Sequence, residues 1–116
     1  MLMLPPSVRI FICAQPVDMR CGFDRLAELT RTLIQQQPLS GHLFVYCGRR
    51  RDRVKILWWD RSGYVVWYKR LEKSVFRFTA AEGGVAEVEA AELALLLEGI
   101  DLAGARRRPR FTPRIT

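Results

Sequence analysis

The alternation of apolar and polar residues predicts a strand near the N-terminus and then a helix. Residues 8–13 read VRIFIC, and their period of two with β-branched side chains is typical of a half-buried strand. Between residues 18 and 37 the apolar positions recur at intervals of three and four, which predicts an amphipathic helix. Asp18 or Asp24 could cap the start of this helix, and Pro38 would end it.

The middle of the chain has the pattern of a β-meander. Three segments rich in aromatic and β-branched residues, HLFVYC at 42–47, RVKILWW at 53–59 and YVVWYKRL at 64–71, predict strands. The loops between them are short, polar and contain glycine, which favours antiparallel hairpins. Residues 74–78 could add a further short strand.

A second helix is predicted at residues 89–98, where leucines recur on one helical face and Gly99 follows as a natural stop. These elements predict the α+β class, with an antiparallel sheet of about four or five strands packed with two helices. The predicted single domain covers residues 1–102. Residues 103–116 hold five arginines, two prolines and no periodicity, so we expect a mobile basic arm there.

Length and composition indicate a globular protein. A chain of 116 residues, 49% hydrophobic and 27% charged, is long enough for one core and too short for two well-packed ones. No apolar run approaches the roughly 18 residues that a membrane span needs. The N-terminal MLMLPP lacks the pattern of a signal peptide, so we expect a cytoplasmic protein.

The cysteines do not indicate a disulfide framework or a zinc site. Cys13, Cys21 and Cys47 are odd in number and never spaced as C-x-x-C, so we expect small, buried, reduced side chains. His42 is the single imidazole. We therefore predict no metal and no cofactor.

The distribution of charge points to an anionic partner. The net charge is +7, and residues 41–81 alone contribute seven Arg and three Lys against three acids. Residues 82–102 hold six acids and no Lys or Arg, whereas residues 103–116 hold five Arg and no acid. Most of the cations are arginine, whose planar fork binds phosphate and base edges in a bidentate way, which favours nucleic acid.

The strongest local feature is the segment GRRRDRVKILWWDRSG at residues 48–63. Three arginines fall at a predicted hairpin tip, and the strand after them places two cations and a tryptophan on one face. Such a surface could lie along a phosphate backbone while the aromatic ring stacks on a base. The equally weighted alternative is an ordinary solvent-facing strand with a soluble turn. The candidate DNA-binding residues are Arg49, Arg50, Arg51, Arg53, Lys55, Trp59, Arg106, Arg107, Arg108 and Arg110.

Other features have simpler explanations. Most of the aromatic residues at positions 58–78 are expected in the core, with Trp59 the best candidate for base stacking. Residues 18–24 are most simply a helix start. The acidic stretch 82–98 is most simply a solvated helix face, with docking against a basic partner or the Arg-rich tail as the alternative.

The sequence does not indicate an enzyme. Metal-dependent strand transfer needs carboxylates around two metal ions. Asp52 and Asp60 flank one predicted strand at its opposite ends, too far apart to share an ion. Because His42 and Cys47 are separated by an odd number of residues on a strand, they would point to opposite faces. No glycine-rich phosphate loop is present.

Three blocks, in this order and spacing, resemble a known family: DMRCGFDRLAELT at 18–30, SGHLFVYCGRRRDRVKILWWDRSGYVVWYKRLEKSVFRF at 40–78, and ELALLLEGIDL at 92–102. Over residues 4–102 the chain is similar to the TnpB-type accessory protein, or second-open-reading-frame protein, of the IS66 insertion-sequence family. It lacks the length and acidic triad of the RNA-guided nuclease also called TnpB. The resemblance implies a protein encoded beside a large transposase that assists DNA transposition and recombination of a mobile genetic element. No enzymatic activity is implied, because the catalytic acids belong to the transposase.

The family pattern carries no assigned residue roles. It is matched at Asp18, Met19, Arg20, Gly22, Phe23, Asp24, Arg50, Asp52, Arg53, Lys55, Leu57, Trp59, Asp60 and Gly63. The chain departs from it at Cys21, Arg25 and Phe78, where the family usually has Lys, Gly and Trp. The first departure removes a positive charge from the helix entry, and the tail from Ala103 lies outside the pattern.

The preferred interpretation is an accessory protein that binds DNA, with the element ends as ligand. The alternative is a protein-interaction adaptor, whose arginines and exposed aromatics dock on the transposase or on a second copy of the chain without binding DNA. Salt-sensitive binding to bare duplex would separate the two. Expected partners are DNA, the transposase and other proteins of the element, with homo-oligomerisation possible and no membrane.

Overall fold

The computed structural model describes residues 4–78 and 84–99. Within them, five strands and two α-helices form one α+β unit, which confirms the predicted fold class. In chain order the elements are β1 (Ile10–Cys13), α1 (Phe23–Leu29), β2 (Leu43–Cys47), β3 (Arg53–Trp59), β4 (Tyr64–Arg70), β5 (Val85–Val88) and α2 (Ala90–Leu97). Residues 103–116, the predicted basic arm, lie outside the described residues.

The strands form a single sheet in the order β4-β3-β2-β1-β5. β1 and β2 pair in parallel because the chain crosses back over the sheet through α1 between them, so the sheet is mixed and not wholly antiparallel. The other neighbours are antiparallel, including the two predicted hairpins. Residues 74–78 form no strand; the fifth strand comes later in the chain, at Val85–Val88.

The first helix is shorter than its apolar periodicity predicts. It begins at Phe23 after Gly22, whose position at the N-cap carries no side-chain hydrogen bond. Neither expected cap residue is at this position: Asp24 lies in the first turn of the helix, and Asp18 accepts hydrogen bonds from the backbone and guanidinium of Arg20. After Leu29 the helix widens into a π-helical turn, Thr30–Ile34, which ends at a left-handed residue.

Both faces of the sheet are covered. α2 packs on one face, together with the side chains of Phe76 and Phe78, and α1 packs on the other. Side chains that alternate along β3 therefore enter two different buried layers: Ile56 faces α2 and Leu57 faces α1, and both are fully buried. The face of β3 predicted to carry exposed cations is thus exposed only towards its ends.

One buried polar group lies in the layer under α1. The hydroxyls of Thr30 and Tyr46 are hydrogen-bonded to each other, and the Thr30 hydroxyl also donates to the carbonyl of Leu26 at 2.9 Å. Burial raises the pKa of Tyr46 above its usual value. The phenol is therefore neutral and ties β2 to α1 at the point where the helix widens.

The three cysteines are unpaired; Cys13 and Cys47 are buried as predicted, whereas Cys21 is only partly buried because it lies in the loop before α1. Cys13 lies on the α1 face of the sheet and Cys47 on the α2 face, so the sheet separates their sulfur atoms. Burial raises the pKa of both thiols. Over residues 4–78 and 84–99 no three metal-ligating side chains converge, and no helix has the length and apolarity to cross a bilayer.

Candidate nucleic-acid interface

The loop between β2 and β3 is a closed turn with arginines at its tip. The backbone N–H of Gly48 donates to the carbonyl of Arg53 at 3.2 Å, and that of Arg51 donates to the carbonyl of Gly48 at 3.0 Å. Arg51 takes a left-handed conformation with φ of 62°. These bonds hold the loop in one shape and leave the side chains of Arg49 and Arg50 exposed.

The third arginine of the run differs from the other two. The carbonyl of Arg51 accepts a hydrogen bond from the backbone of Phe76 at 2.6 Å, and its guanidinium lies 3.9 Å from the sulfur of Cys47. Its side chain is half-buried. Arg51 therefore anchors the turn to the sheet and to the segment after β4, whereas the side chains of Arg49 and Arg50 are exposed.

Arg49, Arg50 and Arg53 make no side-chain hydrogen bond or ion pair with any other described residue. Elsewhere many cations are paired, as Arg9 is with Glu87 at 2.7 Å and Arg20 with Asp18 at 2.8 Å. A guanidinium without a carboxylate partner keeps its full donor set for an external anion. The hairpin is therefore a site of uncompensated positive charge.

A groove separates this hairpin from the loop between β1 and α1. Its volume is about 500 Å³, and its walls are residues 16–19 on one side and residues 48–53, apart from Arg51, on the other. The backbone of Val17 donates to the carbonyl of Cys47 at 3.0 Å and so fixes the distance between the two walls. A Cβ at Gly48 would lie 2.7 Å from the Met19 Cγ, so any larger residue at this position would displace the Met19 side chain.

Acidic groups lie in the same groove. Hydrogen bonds from Arg20 lower the pKa of Asp18 to about 2, which keeps this carboxylate ionised at neutral pH. Asp52 lines the opposite wall. The groove thus has carboxylates in its lining and unpaired arginines along its hairpin rim.

Lys55 is placed differently from Arg53 although both lie on the same face of β3. The Lys55 ammonium donates to the carbonyl of Cys21 at 2.8 Å and lies 4.8 Å from the centre of the Tyr68 ring. It is half-buried under the residues that lead into α1. Its contacts join the 18–24 segment to the sheet.

Trp59 is remote from the arginines. It ends β3, six residues beyond Arg53 and hence about 20 Å away along the strand. Its ring packs edge-to-face on Tyr64 with centroids 5.2 Å apart, and the residue is half-buried. The structure therefore brings together Arg49, Arg50 and Arg53, but not Trp59. The remaining candidates, Arg106, Arg107, Arg108 and Arg110, lie outside the described residues.

Arg70 also lies at this end of the sheet, although it is not among the candidate DNA-binding residues predicted from the sequence. Arg70 is directly opposite Arg53 in the β3–β4 register, and its guanidinium pairs with Glu72 at 3.0 Å. A hairpin that closes between residues 60 and 63 pairs residues whose numbers add up to 123, so the sequence alone could have indicated that Arg70 faces Arg53.

The groups considered for catalysis have structural contacts. The Asp60 carboxylate accepts hydrogen bonds from the backbones of Ser62 and Gly63 and so holds the β3–β4 turn. The ring of His42 accepts a hydrogen bond from the backbone of Arg9 at 2.9 Å, and burial lowers its pKa. Asp52 and Asp60 lie beyond opposite ends of β3, as predicted.

Comparison with known proteins identifies the family. The family model described as "IS66 Orf2 like protein" matches residues 8–107. The chain is 40% identical over 116 residues to "Uncharacterized protein y4hO" of Sinorhizobium fredii, covering 98% of this chain and 97% of the relative. It is 34% identical over 113 residues to "Uncharacterized protein y4jC" of the same organism, covering 96% and 97% of the two chains. No solved structure matches. The chain therefore belongs to the family of IS66 Orf2 like proteins, which are accessory proteins of an insertion sequence.

Proposed function

We propose that this accessory protein acts by binding DNA through the Arg-rich hairpin and has no catalytic role of its own. The observation that carries the proposal is the set of three arginines, Arg49, Arg50 and Arg53, that have no intramolecular partner among the described residues. Arg49 and Arg50 lie on a turn whose backbone is held by hydrogen bonds at both ends, and Arg53 begins the strand that follows it. Little conformational entropy is then lost from the loop on binding.

The groove suggests how a strand would lie on this surface. Phosphates would be repelled by the carboxylates of Asp18 and Asp52 and attracted by the guanidinium groups of Arg49 and Arg50. A nucleic-acid backbone would therefore follow the hairpin rim. The ten candidates then divide. The proposed contacts are Arg49, Arg50 and Arg53, whereas Arg51 anchors the turn, Lys55 joins the 18–24 segment to the sheet, and Trp59 lies elsewhere. The C-terminal arginines remain a prediction from charge alone.

Binding of fluorescent duplexes tests the proposal. The affinity of the Arg49→Ala/Arg50→Ala variant would be compared with that of Arg31→Ala/Arg61→Ala, which removes the same charge from two exposed arginines away from the hairpin. We expect only the hairpin variant to bind much more weakly. Element-end and random sequences of equal length would show whether the binding depends on sequence.

The adaptor alternative gives the opposite result. If both variants bind duplex as the unaltered protein does, and the hairpin variant alone no longer co-purifies with the transposase, the hairpin is a protein-docking surface. Partnership with the transposase and residence in the cytoplasm belong to either version of the proposal.

A further inference from the structure

β4 is an edge strand with an outer side that has no hydrogen-bonded neighbour among residues 4–78 and 84–99. The β3–β4 ladder closes with Leu71 donating to Asp52 at 2.8 Å at one end and Asp60 donating to Gly63 at 3.0 Å at the other. In an antiparallel pair the hydrogen-bonded positions alternate. The residues of β4 whose N–H and C=O groups point away from β3 are therefore Tyr64, Val66, Tyr68 and Arg70.

This edge lacks the usual protections of an edge strand. It is seven residues long, whereas β5 at the other edge has four. The strand contains no proline, and its register with β3 runs without a bulge. Lys69, which could discourage pairing, has its ammonium engaged at 2.9 Å by the carbonyl of Leu97. Tyr68 is 50% exposed beside the edge.

We propose that a second copy of this chain pairs with β4 in antiparallel orientation, centred on Trp67, to form a two-fold dimer with one continuous sheet. In this register Val66 lies opposite Tyr68 of the second copy, and Tyr64 lies opposite its Arg70. Each outward N–H and C=O then meets a partner, because every outward residue faces another outward residue. Pairing centred on Val66 or on Tyr68 would instead place Arg70 or Tyr64 opposite a residue outside β4, so that one outward residue of the strand would lack a partner.

The side chains agree with this register. Lys69 lies opposite Val65 of the second copy, and no two cations are placed directly opposite each other. Trp67 meets its own symmetry mate at a non-hydrogen-bonded position, where the Cα atoms are about 4.5 Å apart and aromatic side chains pack across the strands. The strand sequence is in this sense complementary to itself.

The dimer would also set the positions of the two Arg-rich hairpins. Each hairpin lies next to the C-terminal end of its own β4, since Arg53 is opposite Arg70. Antiparallel pairing of the β4 strands therefore puts the two hairpins at opposite ends of the joined strands. The pairing itself does not require DNA and can be tested without it.

Light scattering after size-exclusion chromatography tests the dimer. We expect the unaltered protein to have twice the chain mass of 13.4 kDa. Val66→Pro should be monomeric, because proline removes an outward N–H without breaking a bond to β3. Val66→Thr keeps that N–H and the β-branched shape and should remain a dimer. Circular dichroism would confirm that both variants are folded.

Disulfide trapping tests the register. In a Cys21→Ser background, Trp67→Cys should form a cross-linked dimer, because a disulfide spans Cα atoms roughly 4.4–6.8 Å apart. The matched control is Val65→Cys, on the same face, where the two cysteines would be about 13 Å apart and should not cross-link.

A monomeric unaltered protein, or a Val66→Pro protein as dimeric as Val66→Thr, would overturn the proposal. Equal cross-linking at positions 65 and 67, or cross-linking at 65 alone, would overturn the register centred on Trp67. If Trp67→Cys does not fold, the comparison of the two Val66 variants decides whether the β4 edge forms the interface.

Discussion

The salt dependence of DNA binding should report how many of the hairpin arginines contact phosphates. Each neutralised phosphate changes the slope of log affinity against log salt by about −0.9 for duplex DNA. Contacts from Arg49, Arg50 and Arg53 together therefore predict a slope of about −2.7 from the hairpin. Raising the salt from about 50 to 200 mM would then lower the affinity about 40-fold.

The double variant Arg49→Ala/Arg50→Ala should keep only the Arg53 contact of this set. The hairpin contribution to the slope should fall to about −0.9, so the same change of salt costs about 3.5-fold in affinity. The fold should survive, because both side chains are exposed and the turn is closed by backbone hydrogen bonds. Any contribution of residues 103–116 adds equally to both proteins and cancels in the difference.

Fluorescence anisotropy at several salt concentrations measures the slopes, and urea unfolding checks stability. The charge-matched variant Arg31→Ala/Arg61→Ala should keep the slope of the unaltered protein. If instead both variants lower the slope equally, binding depends on net charge and not on the hairpin. A slope that neither variant changes would mean that the hairpin makes no phosphate contact.

Three further outcomes follow from the fold. Arg61→Gly should raise the free energy of unfolding by about 0.5 kcal/mol, because Arg61 is exposed and glycine accepts its left-handed φ of 86° without the steric cost that a side chain has there; a lower urea midpoint would contradict this. Tyr46→Phe should lower that free energy by about 1 kcal/mol in thermal or urea unfolding, through loss of the buried hydroxyl pair, and an unchanged midpoint would refute its contribution. Iodoacetamide should modify Cys21 in the native protein before Cys13 or Cys47, as peptide mass mapping would show, because the latter two are buried with raised thiol pKa values.

The strands of the meander could be predicted closely because their patterns are local. Residues 53–59 were predicted and form β3 with the same bounds, since both flanking loops contain turn residues. β5 was missed because VAEV is short and has no distinctive local period. Its strand conformation comes from pairing with β1, which is distant in sequence.

The start of α1 shows a different limit. Asp18 has the residue type and position of a helix cap, but its carboxylate binds Arg20, and the helix begins only at Phe23. A capping residue can satisfy several nearby donors, and local sequence does not determine which one it binds. The apolar repeat extends further than the helix at both ends because it also includes residues that pack from loops and from the π-helical turn.

At the candidate interface, the sequence predicts where the positive charges are, but tertiary contacts determine which of them are available to a ligand. Sequence alternation correctly places Arg53 and Lys55 on the same face of β3, and on that basis the two cations are equivalent. The loop before α1 covers one and not the other, so the Lys55 ammonium is bound by the Cys21 carbonyl while Arg53 has no such partner. The charge of a segment can therefore be read from its residues, but its availability to DNA depends on which carbonyls and carboxylates the fold brings within hydrogen-bonding distance. For this reason the salt dependence should follow Arg49, Arg50 and Arg53 and not the total of +7.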